Sequence, residues 1–234
     1  MSFPSPLLHG TLRQRRVRFL ADITLDTGEE ITAHVPNSGA MLGAKSPGMG
    51  VWVSTSDNPA RKLKYTLELV DVAGVLVGVN TAHPNPLVAH AIASGHIAEL
   101  TGYAVCKREV KYGTNSRIDM LLTDPARPAC YVEVKNVHMS RTPGLAEFPD
   151  GVTARGAKHM AELAEMVKSG HRAVVVFVIQ RMDVNRFRVA SDLDPQYLES
   201  LKAAVNTGVE VLCYRCHVTT DTLKLDRTIP WVQD

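Results

Sequence analysis

The run His83-Pro84-Asn85-Pro86 constrains the fold of this chain more than any other segment. Two prolines two positions apart remove backbone donors, fix φ and push the residues before them out of helical geometry. No strand or helix runs through such a stretch unbroken. The 234 residues therefore divide into 1–82 and 83–234, each long enough to bury its own core.

The two parts differ in texture. In the first, Val17, Phe19, Ala21 and Ile23 alternate with Arg16, Arg18, Leu20 and Asp22, which predicts one strand with an apolar face. Further strands are expected at 31–35, 51–54, 66–72 and 75–79, with Thr27-Gly28 and Ala73-Gly74 as hairpin turns. Residues 37–50 hold four glycines and a proline and read as a loop. Five or so short strands with few helical patterns predict a small OB-like β-barrel.

In the second part Asn85 is placed to cap a helix, with Pro86 at its first position and Gly95 as a weak point before Leu100. Strands follow at 105–112, 117–122 and 131–137, then a helix at about 152–168. An apolar β-branched run at 173–179 suits a strand covered on both faces. A helix at about 194–206 leads to a strand at 209–217. This order predicts a mixed α/β domain with helices against a central sheet.

Composition narrows the function classes. Hydrophobic residues make up 45% and charged residues 21%, as in globular proteins and unlike disordered ones. No apolar run approaches the roughly 18 residues that span a bilayer, so a membrane role is not expected. Residues 1–10 show no basic flank, apolar stretch and cleavage site in series, which points to a cytoplasmic protein. The four cysteines, at 106, 130, 213 and 216, then read as reduced. Cys213-Tyr214-Arg215-Cys216-His217 spells a haem-attachment string, but strand alternation puts its cysteines on opposite faces. The formal net charge is only +2, so any contact with nucleic acid must come from local clusters. Arg13, Arg15, Arg16 and Arg18 form one such cluster, and Arg61, Lys62 and Lys64 another, beside Tyr65. Solvated strand edges explain both equally well.

The stretch Tyr131-Val132-Glu133-Val134-Lys135 carries chemistry. On a strand Glu133 and Lys135 share one face while the valines anchor the other. If residues 117–122 and 131–137 pair as a hairpin, Asp119 sits beside Glu133. Glu109 lies upstream on the preceding strand. Convergent carboxylates repel unless a hard cation holds them. Mg²⁺ or Mn²⁺ takes one or two carboxylates together with water and phosphate oxygens. Asp119 and Glu133, with Glu109 as a third, are thus candidate metal ligands. Lys135 is placed to offset charge in a phosphodiester transition state. On the helix that follows, Val152, Gly156, Met160, Leu163 and Val167 make the buried stripe. Arg155, Lys158, His159 and Glu162 fall off it, with Arg155 and Lys158 placed to meet a phosphate. Asp150 reads as a cap or entry residue of that helix.

Several motifs in series resemble the sugar fermentation stimulation protein family. They are Asn37-Ser38-Gly39-Ala40-Met41, Ser54-Thr55-Ser56-Asp57-Asn58, Glu109-Val110-Lys111-Tyr112-Gly113, Ser116-Arg117-Ile118-Asp119, Glu133-Val134-Lys135 and Phe148-Pro149-Asp150. The resemblance spans nearly the whole chain. It implies an N-terminal OB-like domain, a C-terminal domain of the PD-(D/E)xK nuclease fold, DNA binding without sequence specificity, and a link to regulation of sugar (maltose) metabolism. Asp119, Glu133 and Lys135 match the nuclease motif, although Ile118 stands where that motif has proline. Two functions are consistent with this reading: a DNA-binding protein that retains the site, and a Mg²⁺- or Mn²⁺-dependent nuclease acting on DNA or RNA.

Overall fold

The computed structural model describes residues 1–3, 6–113 and 116–233. The first part is all strand: β1 (Leu8–Arg16), β2 (Leu20–Leu25), β3 (Glu30–His34), β4 (Gly50–Thr55), β5 (Tyr65–Val72) and β6 (Val75–Gly78). The sheet order is β3-β2-β1-β4-β5-β6, and β3 also pairs in parallel with β5. That extra pairing closes β1 to β5 into a five-stranded barrel, the expected OB-like form. Leu12, Ala21, Ile23, Ala33, Val51, Val53 and Leu67 fill its interior.

One strand expectation fails. Residues 16–23 are not a single strand but the turn and second arm of a hairpin, with Arg16 paired to Leu20. Val17 and Arg18 take left-handed φ values of 41° and 65°. The apolar alternation crossed this tight turn unnoticed, and it leaves Val17 and Phe19 exposed rather than on the core face.

The second part contains α1 (Pro84–Ala93), β7 (Val105–Tyr112), β8 (Ser116–Asp124), β9 (Arg127–Val137), β10 (Met139–Thr142), β11 (Gly144–Phe148), α2 (Ala154–Lys168), β12 (Arg172–Ile179), β13 (Val184–Val189), α3 (Pro195–Thr207), β14 (Glu210–Val218) and β15 (Leu223–Thr228). A six-stranded mixed sheet runs β15-β14-β12-β9-β8-β7, with β9, β12 and β14 parallel. Its central strand β12 is buried along nearly its whole length, as a strand covered on both faces must be. Leu87, Val88 and Ala91 of α1 pack with Val132, Val174 and Val176 on one side. Met160, Leu163, Tyr197 and Leu201 of α2 and α3 pack with Val175, Phe177 and Ile179 on the other. Cys213 and Cys216 fall into these two different cores, as alternation required, and all four cysteines are unpaired.

Other differences concern boundaries. The first helix starts at Pro84, with His83 at the cap, and ends before Gly95, whose φ is 74°. A short 3₁₀ turn at Ala98–Leu100 follows instead of a continuous helix. Helix α2 starts two residues later than expected, capped by the Thr153 side chain, which accepts from the Gly156 N–H. Val152 therefore precedes the helix and is 81% exposed. Strands β10, β11, β13 and β15 were not foreseen; the first three form a separate sheet in which β11 and β13 run parallel. No helix among the described residues is long and apolar enough to cross a membrane.

Candidate metal centre

The site lies where β8 and β9 part. Their ladder pairs Leu122 with Cys130, Leu121 with Tyr131 and Met120 with Val132. The next step would set Asp119 against Glu133. There the Asp119 side chain substitutes for the missing backbone partner: its Oδ2 accepts the Val134 N–H at 2.7 Å. Its Oδ1 accepts from the Asn85 amide of α1 at 2.7 Å. Asn85 was expected to cap that helix; with Pro84 at the first position, its side chain is free to reach the sheet.

Glu133 is more deeply buried than Asp119. Its Oε1 accepts from Lys135 Nζ at 2.7 Å and makes a very short contact with His159 Nδ1 from α2. Arg155 Nε donates to His159 Nε2 at 3.3 Å, so the histidine proton sits on Nδ1 and points at the carboxylate. Glu133 Oε2 is buried and has no hydrogen-bond partner. Two further buried groups nearby also lack hydrogen-bond partners, the Tyr112 hydroxyl and the Glu162 carboxylate oxygens.

The electrostatics of the two acids diverge. Burial and the adjacent Glu133 charge push the Asp119 carboxyl up to about 6, against the weaker pull of Val134, Asn85 and Lys135. Burial also pushes Glu133 up, but His159 and Lys135 together outweigh it and hold it below its ordinary value. Burial, with the charges of Glu133, Glu162 and Asp119, raises the Tyr112 hydroxyl. The site thus holds two neighbouring carboxylates and a carboxylate oxygen without a hydrogen-bond partner. Hard oxygen donors in that state suit a hard divalent cation.

Of the other expected residues, Arg155 and Lys158 lie on α2 beside the site and the rest lie elsewhere. Glu109 is exposed on β7 with φ 53°, between the pairs Arg108–Met120 and Val110–Ile118. Among the described residues no group of three or more His, Cys, Asp or Glu is arranged to hold a metal ion, so Asp119 and Glu133 form a two-carboxylate arrangement. Arg155 serves His159, while Lys158 Nζ lies 3.5 Å from Glu162. On the barrel, Arg13 pairs with Glu30 at 2.9 Å and Arg16 with Asp22 at 2.7 Å. Arg18 donates to the Ser38 carbonyl at 3.3 Å, and Arg61 to the Thr66 hydroxyl at 2.9 Å. Lys62 and Lys64 are exposed, the latter over the Tyr65 ring. Asp150 does not cap α2; its Oδ2 accepts the Met41 N–H of the barrel at 2.6 Å. His159 was read as an off-stripe surface residue, and the signal that finds it is its place one turn after Arg155 on the helix facing the Glu133 strand.

Comparison with known proteins agrees with this architecture. The family model for the SfsA N-terminal OB domain matches residues 14–79, and that for the sugar fermentation stimulation protein RE domain matches residues 82–222. A sugar fermentation stimulation protein homolog from Rhodospirillum centenum is 58% identical over 98% of both chains. One from Caulobacter vibrioides is 54% identical over 99% of this chain and 97% of its own. The structure of Pyrococcus furiosus SfsA in complex with Ca²⁺ superposes with a TM-score of 0.90 at 25% identity, covering 100% of this chain and 98% of that one. The second part thus has the restriction-endonuclease-like fold, and the chain belongs to the sugar fermentation stimulation protein family.

Proposed function

We propose that this chain binds nucleic acid, DNA in the first place, and hydrolyses its phosphodiester bonds with a divalent cation held by Asp119 and Glu133. The observation that carries the reading is a carboxylate pair, Glu133 buried and Asp119 half-buried, with one free oxygen, Glu133 Oε2, beside a lysine. Mg²⁺ and Mn²⁺ suit that donor set, and the Pyrococcus furiosus relative was solved with Ca²⁺, another oxygen-seeking cation. A bound cation of this kind makes water acidic enough to attack at neutral pH and offsets charge on the phosphate.

The chain's own groups do the rest. Lys135 and His159 both hold Glu133 Oε1, which leaves the buried Oε2 without a hydrogen-bond partner. Arg155 keeps the His159 proton on Nδ1. Asn85 and the Val134 N–H fix the Asp119 carboxylate. Lys135, held beside Glu133, would offset charge developing on the phosphate, a kind of contribution whose loss costs roughly 10²–10³ in rate. Residues 1–82 would hold the strand and residues 83–234 cut it. The contacts are assigned to Arg13, Arg16, Arg18, Arg61, Lys62 and Lys64, with Arg155 and Lys158 beside the pocket. Phosphate contacts of this kind position a strand without reading its sequence. The unpaired cysteines suit the reducing cytoplasm.

One observation favours a second reading. Asp119 already engages both oxygens in hydrogen bonds and so competes with any cation. A protein that binds DNA and turns it over little would serve regulation of sugar metabolism, the role the relatives' name suggests. Incubation with single- and double-stranded DNA and RNA, with Mg²⁺, Mn²⁺ or chelator, separates the two. The nuclease reading expects metal-dependent cleavage that Asp119→Ala abolishes and Lys135→Ala lowers at least a hundredfold. Cleavage undiminished in both variants would sink it, and binding without cleavage selects the second reading.

A further inference from the structure

A cleft of about 480 Å³ separates the barrel from the second part, within the roughly 300–1,000 Å³ usual for ligand pockets. One wall is the barrel loop Asn37-Ser38-Gly39-Ala40. The Arg15 guanidinium clamps it by donating to the carbonyls of Asn37, Gly39 and Ala40 at 2.7, 3.0 and 3.2 Å. The Asn37 side chain donates to the Val79 carbonyl at 3.0 Å. A Cβ on Gly39 would stand 2.7 Å from Asp150 Oδ1, so loop and opposite wall are in direct contact. That opposite wall runs from Phe148 to Thr153, at the start of α2, and Asn136 and His138 also line the cleft. Asp119, Glu133 and Lys135 do not line it, although Asn136 directly follows Lys135.

His138 is the feature that packing leaves unexplained. It is 5% exposed, and its Nε2 has no hydrogen-bond partner; the Asp150 carboxylate stands 3.5 Å away. Burial, with the nearby charges of Arg181 and Arg15, outweighs Asp150 and keeps the imidazole neutral. Buried polar groups of this kind normally have a partner. Asp150 disfavours an anion at the inner end and favours N–H donors there. Arg18, exposed at the rim, favours an anion at the mouth. Phe148, Pro149 and Met139 supply apolar surface between these ends, and Val152 stands exposed at the mouth. A polar donor edge, a flat apolar body and a terminal anion describe a nucleotide.

We propose that this interdomain cleft binds one nucleotide, its base inward against His138 and Asp150 and its phosphate at the rim by Arg18. The proposal deepens the nucleic-acid reading and, for a bound strand, rests on it. A base with amino or imino donors fits the Asp150 carboxylate; uracil and thymine, whose single N–H is flanked by carbonyl oxygens, fit worst.

Calorimetric titration of the full chain in chelator tests this, with the four ribonucleoside monophosphates and a single-stranded tetramer as probes. Guanosine monophosphate should bind most tightly and uridine monophosphate at least fivefold more weakly. Val152, exposed at the mouth, tolerates a charge without loss of fold. Val152→Glu should weaken binding about tenfold through repulsion of the phosphate, Val152→Lys should strengthen it, and His138→Gln should narrow the preference among bases. Binding of the free nucleotide alone identifies a soluble ligand, and binding of the tetramer identifies a strand. No binding of any probe, or affinities indifferent to both Val152 substitutions, would overturn the proposal. Chelator removes the cation from this measurement, so its outcome is independent of the cleavage assay.

Discussion

The barrel and the parted strands hold ion pairs of similar geometry in very different surroundings. Arg13 and Glu30 meet at 2.9 Å with 61% and 73% of their side chains exposed. Lys135 and Glu133 meet at 2.7 Å with 12% and 4% exposed. Water screens the first pair, and pairs of that kind contribute roughly 0–1 kcal/mol. The second has lost its water, so each group depends on its neighbours for the charge it carries. A sequence shows both as basic and acidic residues in proximity. What distinguishes them is the sheet and helix that close over one and leave the other open.

The largest test of this contrast removes His159. His159→Ala takes one donor from a buried carboxylate and leaves Lys135 to hold it alone. A loss of about 3 kcal/mol in urea unfolding is expected, since breaking one side of a buried pair typically costs about that much. A loss below roughly 0.5 kcal/mol would mean that Glu133 is as well solvated as the barrel acids. Asp119→Asn should act in the opposite direction. Asp119 rises from 3.8 to about 6 on folding, so between those values the folded chain keeps a proton that the unfolded chain releases. Stability therefore falls as pH rises from about 4 to 6 and carries a constant deficit above. The asparagine variant should gain about 3 kcal/mol over the parent at pH 7 without metal and nothing below pH 4. A Mg²⁺- or Mn²⁺-dependent rise in Tm should appear in the parent and vanish in the variant. Arg13→Ala should be the mildest change, under about 1 kcal/mol and smaller still in high salt. A larger cost would erase the distinction between the two regions.

The sequence was most informative where structure is local and periodic. Alternation along 117–122 and 131–137 located β8 and β9 and so brought Asp119 near Glu133, because a strand repeats every two residues and a hairpin sets the register. It was least informative where side chains leave their own element. Asn85 and Asp150 both looked like helix caps, since Asn and Asp commonly satisfy nearby backbone. Each instead bonds a distant partner, 34 positions away for Asn85 and 109 for Asp150. His159 lay outside the apolar stripe, yet it meets Glu133, 26 positions earlier, along the edge of the parted strands. Strand β11 was missed because it pairs with β13, about 40 residues on, and neither carries a long apolar run.

The Gln180 side chain lies against the barrel and reaches the second part at the same time. Its amide donates to the Asn80 carbonyl and to the Asn136 side chain, and a Cβ at Gly78 would fall 2.4 Å from its oxygen. Position 78 accordingly admits no side chain, and a hinge at residues 79–83 would have to withdraw a wedge held from both directions. Opening the two parts about that hinge would cost both Gln180 hydrogen bonds at once.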